Sequence, residues 1–134
     1  MDRLYLKRAS MKNVLIVDDE MPVQLTISEG LGIYTKNLNV LTAENGKNAM
    51  EVMESFKVDL VVTDLNMPEM DGFELLAYIR ESYPNIPVIV MTGLSTTEIE
   101  KKLQTLDIFG YIEKPFELKY LTNMILSGLA FRDI

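Results

Sequence analysis

Apolar residues fall in short β-branched runs, separated by stretches where they recur every three or four positions. Residues 14–17 (Val-Leu-Ile-Val) are continuously apolar, as in a strand buried on both faces. Pro22 suits the first turn of a helix, on which Ile27 and Leu31 lie one turn apart. Gly30 and Gly32 weaken the end of that helix. A second strand is predicted over 39–43, followed by a helix near 47–55 with Ala49, Val52 and Met53 facing inward. Residues 60–63 form a third strand ending at Asp64. A helix over 73–82 carries Phe73, Leu76 and Ile79 or Arg80 at helical spacing, and Pro84 and Pro87 close it. Residues 88–91 are the fourth strand. Ser95 and Glu98 have the spacing of a capping box, so a fourth helix should start there and run to about Leu106, with Ile99, Leu103 and Leu106 on one stripe. A short strand over 111–112 and a last helix over 117–131 complete the pattern.

Five strand–helix units without an internal repeat, low-complexity tract or linker imply an α/β fold, a parallel sheet with helices on both faces. In such sheets ligands bind beyond the carboxyl ends of the strands, where the winding direction changes. The chemistry should therefore lie at residues 18–20, 64–70, 92–95 and 113–116.

Composition narrows that chemistry. The 134 residues suit one domain and contain neither cysteine nor histidine. Disulfides, thiolate zinc, a thiol nucleophile, a Ser-His-Asp triad and imidazole acid–base work are all excluded. The net charge is -7, yet residues 1–12 carry +3, so the rest of the chain carries -10. A body that acidic repels phosphate backbones, which argues against nucleic-acid binding. The basic start is followed by no apolar run of signal-peptide length, and the longest aliphatic runs are strand-sized. A soluble cytoplasmic protein without membrane contact is the expectation.

Taken singly, the residues at the strand ends have plain readings. Asp18-Asp19-Glu20 is a polar turn and N-cap ahead of Pro22, and Asp64 is a turn acid. Thr92 is a strand-end residue, Lys114-Pro115 a rigid loop, and Tyr111 an edge-strand tyrosine. The nine methionines are core filler. If the first and third strands are neighbours, however, Asp18, Asp19 and Asp64 converge. Carboxylates about 4 Å apart repel by roughly 4 kcal/mol at an effective dielectric near 20, unless they take up protons or a cation. Oxygen ligands without histidine point to Mg²⁺ or Mn²⁺. Lys114 adds a second, fixed positive charge.

Four segments resemble the receiver domain of two-component response regulators. They are Val14-Leu15-Ile16-Val17 running into Asp18-Asp19-Glu20, the stretch Thr63-Asp64-Leu65-Asn66-Met67-Pro68-Glu69-Met70-Asp71-Gly72, then Met91-Thr92-Gly93, and finally Tyr111-Ile112-Glu113-Lys114-Pro115-Phe116. The likeness spans roughly residues 12–129. It implies a flavodoxin-like doubly wound fold with five parallel strands in the order 2-1-3-4-5. It further implies that Asp64 is the phosphoacceptor, attacking a phosphohistidine on a sensor histidine kinase or histidine phosphotransfer protein. Asp19, Asp64 and the backbone carbonyl of Asn66 would ligate Mg²⁺, with Asp18 helping through a water. Lys114 would pair with the phosphoryl oxygens, Thr92 would hydrogen-bond them, and Tyr111 would turn from solvent-facing to buried. The family usually has a cis peptide bond at Lys114-Pro115.

Two features depart from the family pattern. Asp107 stands where a glycine is common, followed by the bulky Ile108-Phe109, so the surface between the fourth helix and fifth strand is expected to be reshaped. Residues 1–10 read as an N-terminal extension or expression remnant, with the receiver domain over 11–134. On the last helix Leu118, Leu121, Ile125 and Leu129 form a stripe that should face the sheet. Tyr120, Met124 and Phe131 form a second stripe nearly opposite, read as an interface for a homodimer, a partner or a downstream domain.

The competing reading is an Mg²⁺-dependent phosphohydrolase with an aspartyl nucleophile. Such enzymes place a second Asp two residues after the nucleophile as acid–base, and here that position is Asn66. A nucleotide- or flavin-binding module lacks support, since no glycine-rich phosphate loop is present. A chain without histidine can receive a phosphoryl group but cannot be the histidine donor.

Overall fold

A computed structural model describes residues 11–34, 36–66, 72–93 and 96–132. The elements alternate: β1 (Lys12–Val17), α1 (Met21–Tyr34), β2 (Leu38–Ala43), α2 (Gly46–Ser55), β3 (Leu60–Asp64), α3 (Gly72–Ser82), β4 (Val88–Thr92), α4 (Thr97–Gln104), β5 (Gly110–Glu113) and α5 (Leu118–Arg132). The five strands form one parallel sheet in the order β2-β1-β3-β4-β5. Both the α/β expectation and the strand order hold.

Period-two alternation divides the core in two. Leu15, Val17, Val61, Val88 and Val90 face one side, where Ala49 and Met53 of α2, Leu75, Leu76 and Ile79 of α3 and Leu103 of α4 cover them. Val14, Ile16, Leu60, Val62, Ile89 and Met91 face the other, beneath Ile27 and Leu31 of α1 and Leu121, Ile125 and Leu129 of α5. The three central strands are therefore buried on both faces, which is why they read as unbroken apolar runs.

Two local expectations change. The first helix does not weaken at its glycines but continues to Tyr34. Gly30 is buried where α1 meets α5, and a Cβ there would run into the Leu118 side chain. The fourth helix is capped by Thr96, whose hydroxyl accepts the Ile99 N–H at 3.2 Å, and it ends at Gln104 rather than near Leu106. The predicted capping residue Ser95, like residues 1–10, lies outside the described residues. Thr96 offers the same hydroxyl one position later, so the helix starts one residue further on.

The amino ends of the strands are stitched by side chains. Asn13 donates from its side chain to the Lys57 carbonyl at 2.6 Å and from its backbone to Asp59 at 2.8 Å, while the Asn39 side chain donates to Asn13 Oδ1 at 2.8 Å. Arg80 donates to the carbonyls of Pro84 and Ile86 and to Asp107. Asp107 thus anchors the turn before β5, while Ile108 and Phe109 pack into the two cores. The exposed Arg80–Asp107 pair adds little energy by itself. Its value is positional.

Candidate functional site

Strand register assembles the acids. Val17 pairs with Thr63, so the next residues, Asp18 and Asp64, leave the adjacent strands β1 and β3 at the same level. Asp19 follows on the exposed loop. Carboxylate oxygens of Asp18, Asp19 and Asp64 all lie within 4.8 Å of one another. Asp18 is fully buried and Asp64 nearly so.

Lys114 reaches this cluster from beyond β5. Its Nζ lies 3.0 Å from Asp18 Oδ2 and 3.0 Å from Asp64 Oδ2. Its own N–H donates to the Thr92 carbonyl at 2.8 Å, which ties the lysine to the end of β4. The Lys114–Pro115 peptide bond is cis. The second oxygen of each acid is also held: Glu20 N–H donates to Asp18 Oδ1 at 2.9 Å, and Asn66 N–H to Asp64 Oδ1 at 3.1 Å. Thr92 is buried as the last residue of β4, and Tyr111 stands exposed on β5.

The charges do not balance. Among the described residues three carboxylates face one ammonium, leaving about two negative charges uncompensated. Burial, the strongest influence, raises the Asp18 pKa above its ordinary value, against the Glu20 N–H and Lys114. Burial pulls the Lys114 pKa down, but its hydrogen bonds to Asp18 and Asp64 outweigh that and the net shift is upward. The asymmetry follows from exposure, because Lys114 keeps contact with water and Asp18 has none. The excess charge, the oxygen-only donors and their convergence fit a hard divalent cation.

A stability consequence follows for Asp18→Asn. Because folding raises the Asp18 pKa, the folded state binds more protons from the unfolded value near 3.8 up to the folded value. Stability therefore falls as pH rises through that window. In chelator at pH 7, Asp18→Asn should stabilise the fold by about 1 kcal/mol, raising the unfolding midpoint by a few degrees, since Lys114 keeps Asp64. Thermal melts in EDTA between pH 4 and 8 check this, and a lower midpoint for the variant at pH 7 would refute it.

The described residues bring Asp18, Asp19, Asp64 and Lys114 together, with Thr92 joined through its backbone carbonyl and Asn66 through its backbone N–H. Residues 67–71 of the quoted motif lie outside the described residues. Tyr120 and Phe131 are exposed, at 62% and 68%, but Met124 is half-buried against the core and near Gly110. Phe131 also packs on Phe109, ring centroids 6.1 Å apart. The sequence reading missed Gln24. Its side-chain amide donates to the Asp18 carbonyl at 2.6 Å and the Ala43 carbonyl at 2.8 Å. A lone glutamine on a helix carries no signal of such a role.

Comparison with known proteins agrees with the geometry. The family model of the response regulator receiver domain matches residues 14–126. The chain is 35% identical over 122 residues to the sensor kinase CckA of Brucella abortus, covering 90% of this chain and 13% of that protein. It is 35% identical over 117 residues to the transcriptional regulatory protein GlrR of Escherichia coli, covering 87% of this chain and 26% of the relative. The chain thus spans only a minor part of these curated relatives. Among solved structures, the signal receiver domain of an HD domain-containing protein from Pseudomonas fluorescens Pf-5 superposes with a TM-score of 0.85 at 25% identity, covering 92% of this chain and 98% of that one. The chemotaxis protein CheY4 of Vibrio cholerae gives a TM-score of 0.81 at 27% identity, covering 89% and 99%. No helix among the described residues is long and apolar enough to cross a membrane. With five parallel strands in receiver order and the acids gathered at their carboxyl ends, the chain belongs to the response regulator receiver domain family.

Proposed function

We propose that this chain is a phosphorylation-activated switch whose phosphoacceptor is Asp64. The carrying observation is the shared hold of Lys114 on Asp18 and Asp64, at 3.0 Å each, beside the exposed Asp19. An Asp64 carboxylate oxygen attacks the phosphorus of a partner's phosphohistidine. A P–O bond forms and the P–N bond breaks, its electron pair going to the ring nitrogen, so that the phosphohistidine, protonated on its other ring nitrogen, leaves as neutral imidazole. Asp19, Asp64 and the Asn66 backbone carbonyl would hold Mg²⁺, or Mn²⁺ in its place, with Asp18 helping through a water. When bound, that ion supplies charge neutralisation for the phosphoryl oxygens. Lys114 transfers from the Asp64 carboxylate to the phosphoryl oxygens and steadies the charge that develops there. The Thr92 hydroxyl donates to the same group.

The new phosphoryl carries a charge of about -1.5 to -2, and Thr92 moves toward it. Because the Lys114 N–H is bonded to the Thr92 carbonyl, that movement pulls on the end of β5. Tyr111 on β5 then leaves solvent and turns inward. The unit is the segment 11–134, cytoplasmic and kinase-dependent, acting through protein contact rather than on nucleic acid or membrane. An apolar groove of about 490 Å³ beside Lys114, lined by Val23, Ile27, Pro115 and Phe116, suits the approach of the donor protein.

Incubation with a small phosphodonor, with Mg²⁺ and then with EDTA, tests the reading by intact mass. One phosphoryl increment that requires Mg²⁺ supports the switch, and continuous phosphate release without an adduct would favour the hydrolase. The exposed residues of α5 form the contact face for a second copy of the chain. Tyr120→Glu together with Phe131→Glu should lower the solution mass of the phosphorylated protein to that of a monomer. An unchanged mass by light scattering would remove that face from the proposal.

A further inference from the structure

The acid loop is held by a residue that no part of the chemistry above uses. Gln24 sits on the first turns of α1, half-buried, with its N–H bonded to the Glu20 carbonyl at 3.2 Å. Its side chain turns back toward the sheet and meets two carbonyl oxygens, of Asp18 at 2.6 Å and of Ala43 at 2.8 Å. Two acceptors require two donors, so the amide nitrogen faces both and spends both of its protons. The Asp18 N–H in turn donates to the Ala43 carbonyl at 3.1 Å. One side chain therefore fixes the Asp18–Asp19 peptide plane against the end of β2.

The geometry points to Gln24 as the positioning residue of the cation site: it sets the direction in which Asp19 presents its carboxylate, and so the affinity for Mg²⁺. This inference rests on the proposed switch reading. Asp19 is exposed and, among the described residues, its carboxylate has no hydrogen-bond or ion-pair partner to orient it, whereas Asp18 and Asp64 are held at both oxygens. The peptide plane behind Asp19 is then its main constraint. Gln24 and Asp19 also border a small cleft of about 210 Å³ with Thr42, Glu44 and Asn48, which leaves the loop open to water on this side. A loop bordered by solvent depends on such a tether.

Gln24→Met keeps the length and removes both donors. Calorimetric Mg²⁺ titration should show affinity about tenfold weaker, by comparison with other supports of metal ligands. The rate of adduct formation at saturating Mg²⁺ should stay within about twofold of wild type, and the melting midpoint in EDTA should fall by no more than a few degrees, as two lost hydrogen bonds require. Gln24→Glu also removes the donors but adds a negative charge, which alone would draw Mg²⁺ in. It is expected to weaken binding too. Tighter Mg²⁺ binding by Gln24→Glu, unchanged affinity in Gln24→Met, or an equal loss at saturating Mg²⁺ would each overturn the positioning role. If wild type takes up no Mg²⁺, the switch reading falls first. If wild type binds and only the Met variant is normal, the switch reading stands and Gln24 has no part in it.

Discussion

Asp64→Asn is expected to abolish the phosphoryl adduct. The substitution keeps the shape of the side chain and leaves an amide oxygen that can still accept the Asn66 N–H, now at 3.1 Å from Asp64. Lys114 retains its bond to Asp18. What disappears is the anionic oxygen, and an amide is too weak a nucleophile to displace imidazole or the leaving group of a small phosphodonor. The loss should therefore be complete within detection, with folding intact. The variant tests the nucleophile, which both chemical readings share, while a lasting wild-type adduct separates the switch from the hydrolase. Under the switch reading, wild type shows one phosphoryl increment by intact mass and the variant none. An undiminished adduct in the variant would place the phosphoryl group elsewhere and remove Asp64 from the mechanism.

Lys114→Ala should produce the largest change in stability. The ammonium is the one cation bonded to both buried acids among the described residues, and its removal leaves Asp18 and Asp64 facing each other. Breaking a buried ion pair from one side costs about 3–5 kcal/mol. For a chain of this size that is a fall of roughly 10 °C or more in the melting midpoint. Two signatures distinguish this cause from simple loss of packing. The raised Lys114 pKa means its stabilisation is fully present below the unfolded value of 10.5 and is lost as pH rises through the folded value. The wild type should lose stability in that alkaline window, and the variant should not. At acid pH the gap should narrow, because a protonated Asp18 no longer needs a counter-charge. Mg²⁺ should restore much of the lost stability, since a cation would then meet the stranded carboxylates. Melts in EDTA and in Mg²⁺ across pH test all three, and equal midpoints for variant and wild type in EDTA at pH 7 would end the argument.

How far the chain could be read depended on what each residue's neighbours had to be. Val14 to Val17 announced a central strand because burial on both faces allows no polar alternation. Asp18 and Asp64 could be paired because two such strands, once adjacent, place their following residues side by side. Lys114 was legible as a charge near the site, but the sequence could not show that it divides itself equally between two acids. Helix ends were less legible. Ser95, Thr96 and Thr97 are three consecutive hydroxyls, and only the backbone decides which one caps. Gly30 was misread as a weak point because its contact, Leu118, is far away in sequence. Met124 was assigned to an exposed stripe by helical angle alone, whereas the close passage of Gly110 draws it partly into the core. Gln24 was invisible for the opposite reason, as its partners are backbone oxygens that every residue possesses.

The stitching of the sheet's amino ends has a practical use. Arg80 closes the turn before β4 through the carbonyls of Pro84 and Ile86, while the acids lie past the other ends of the strands. Asn85, exposed between those carbonyls, is therefore separated from Asp64 by the full length of β4. Because the chain has no cysteine, Asn85→Cys would introduce its sole thiol. A dye or spin label attached there would have a single address, at a pole of the molecule where it could watch the switch without touching it.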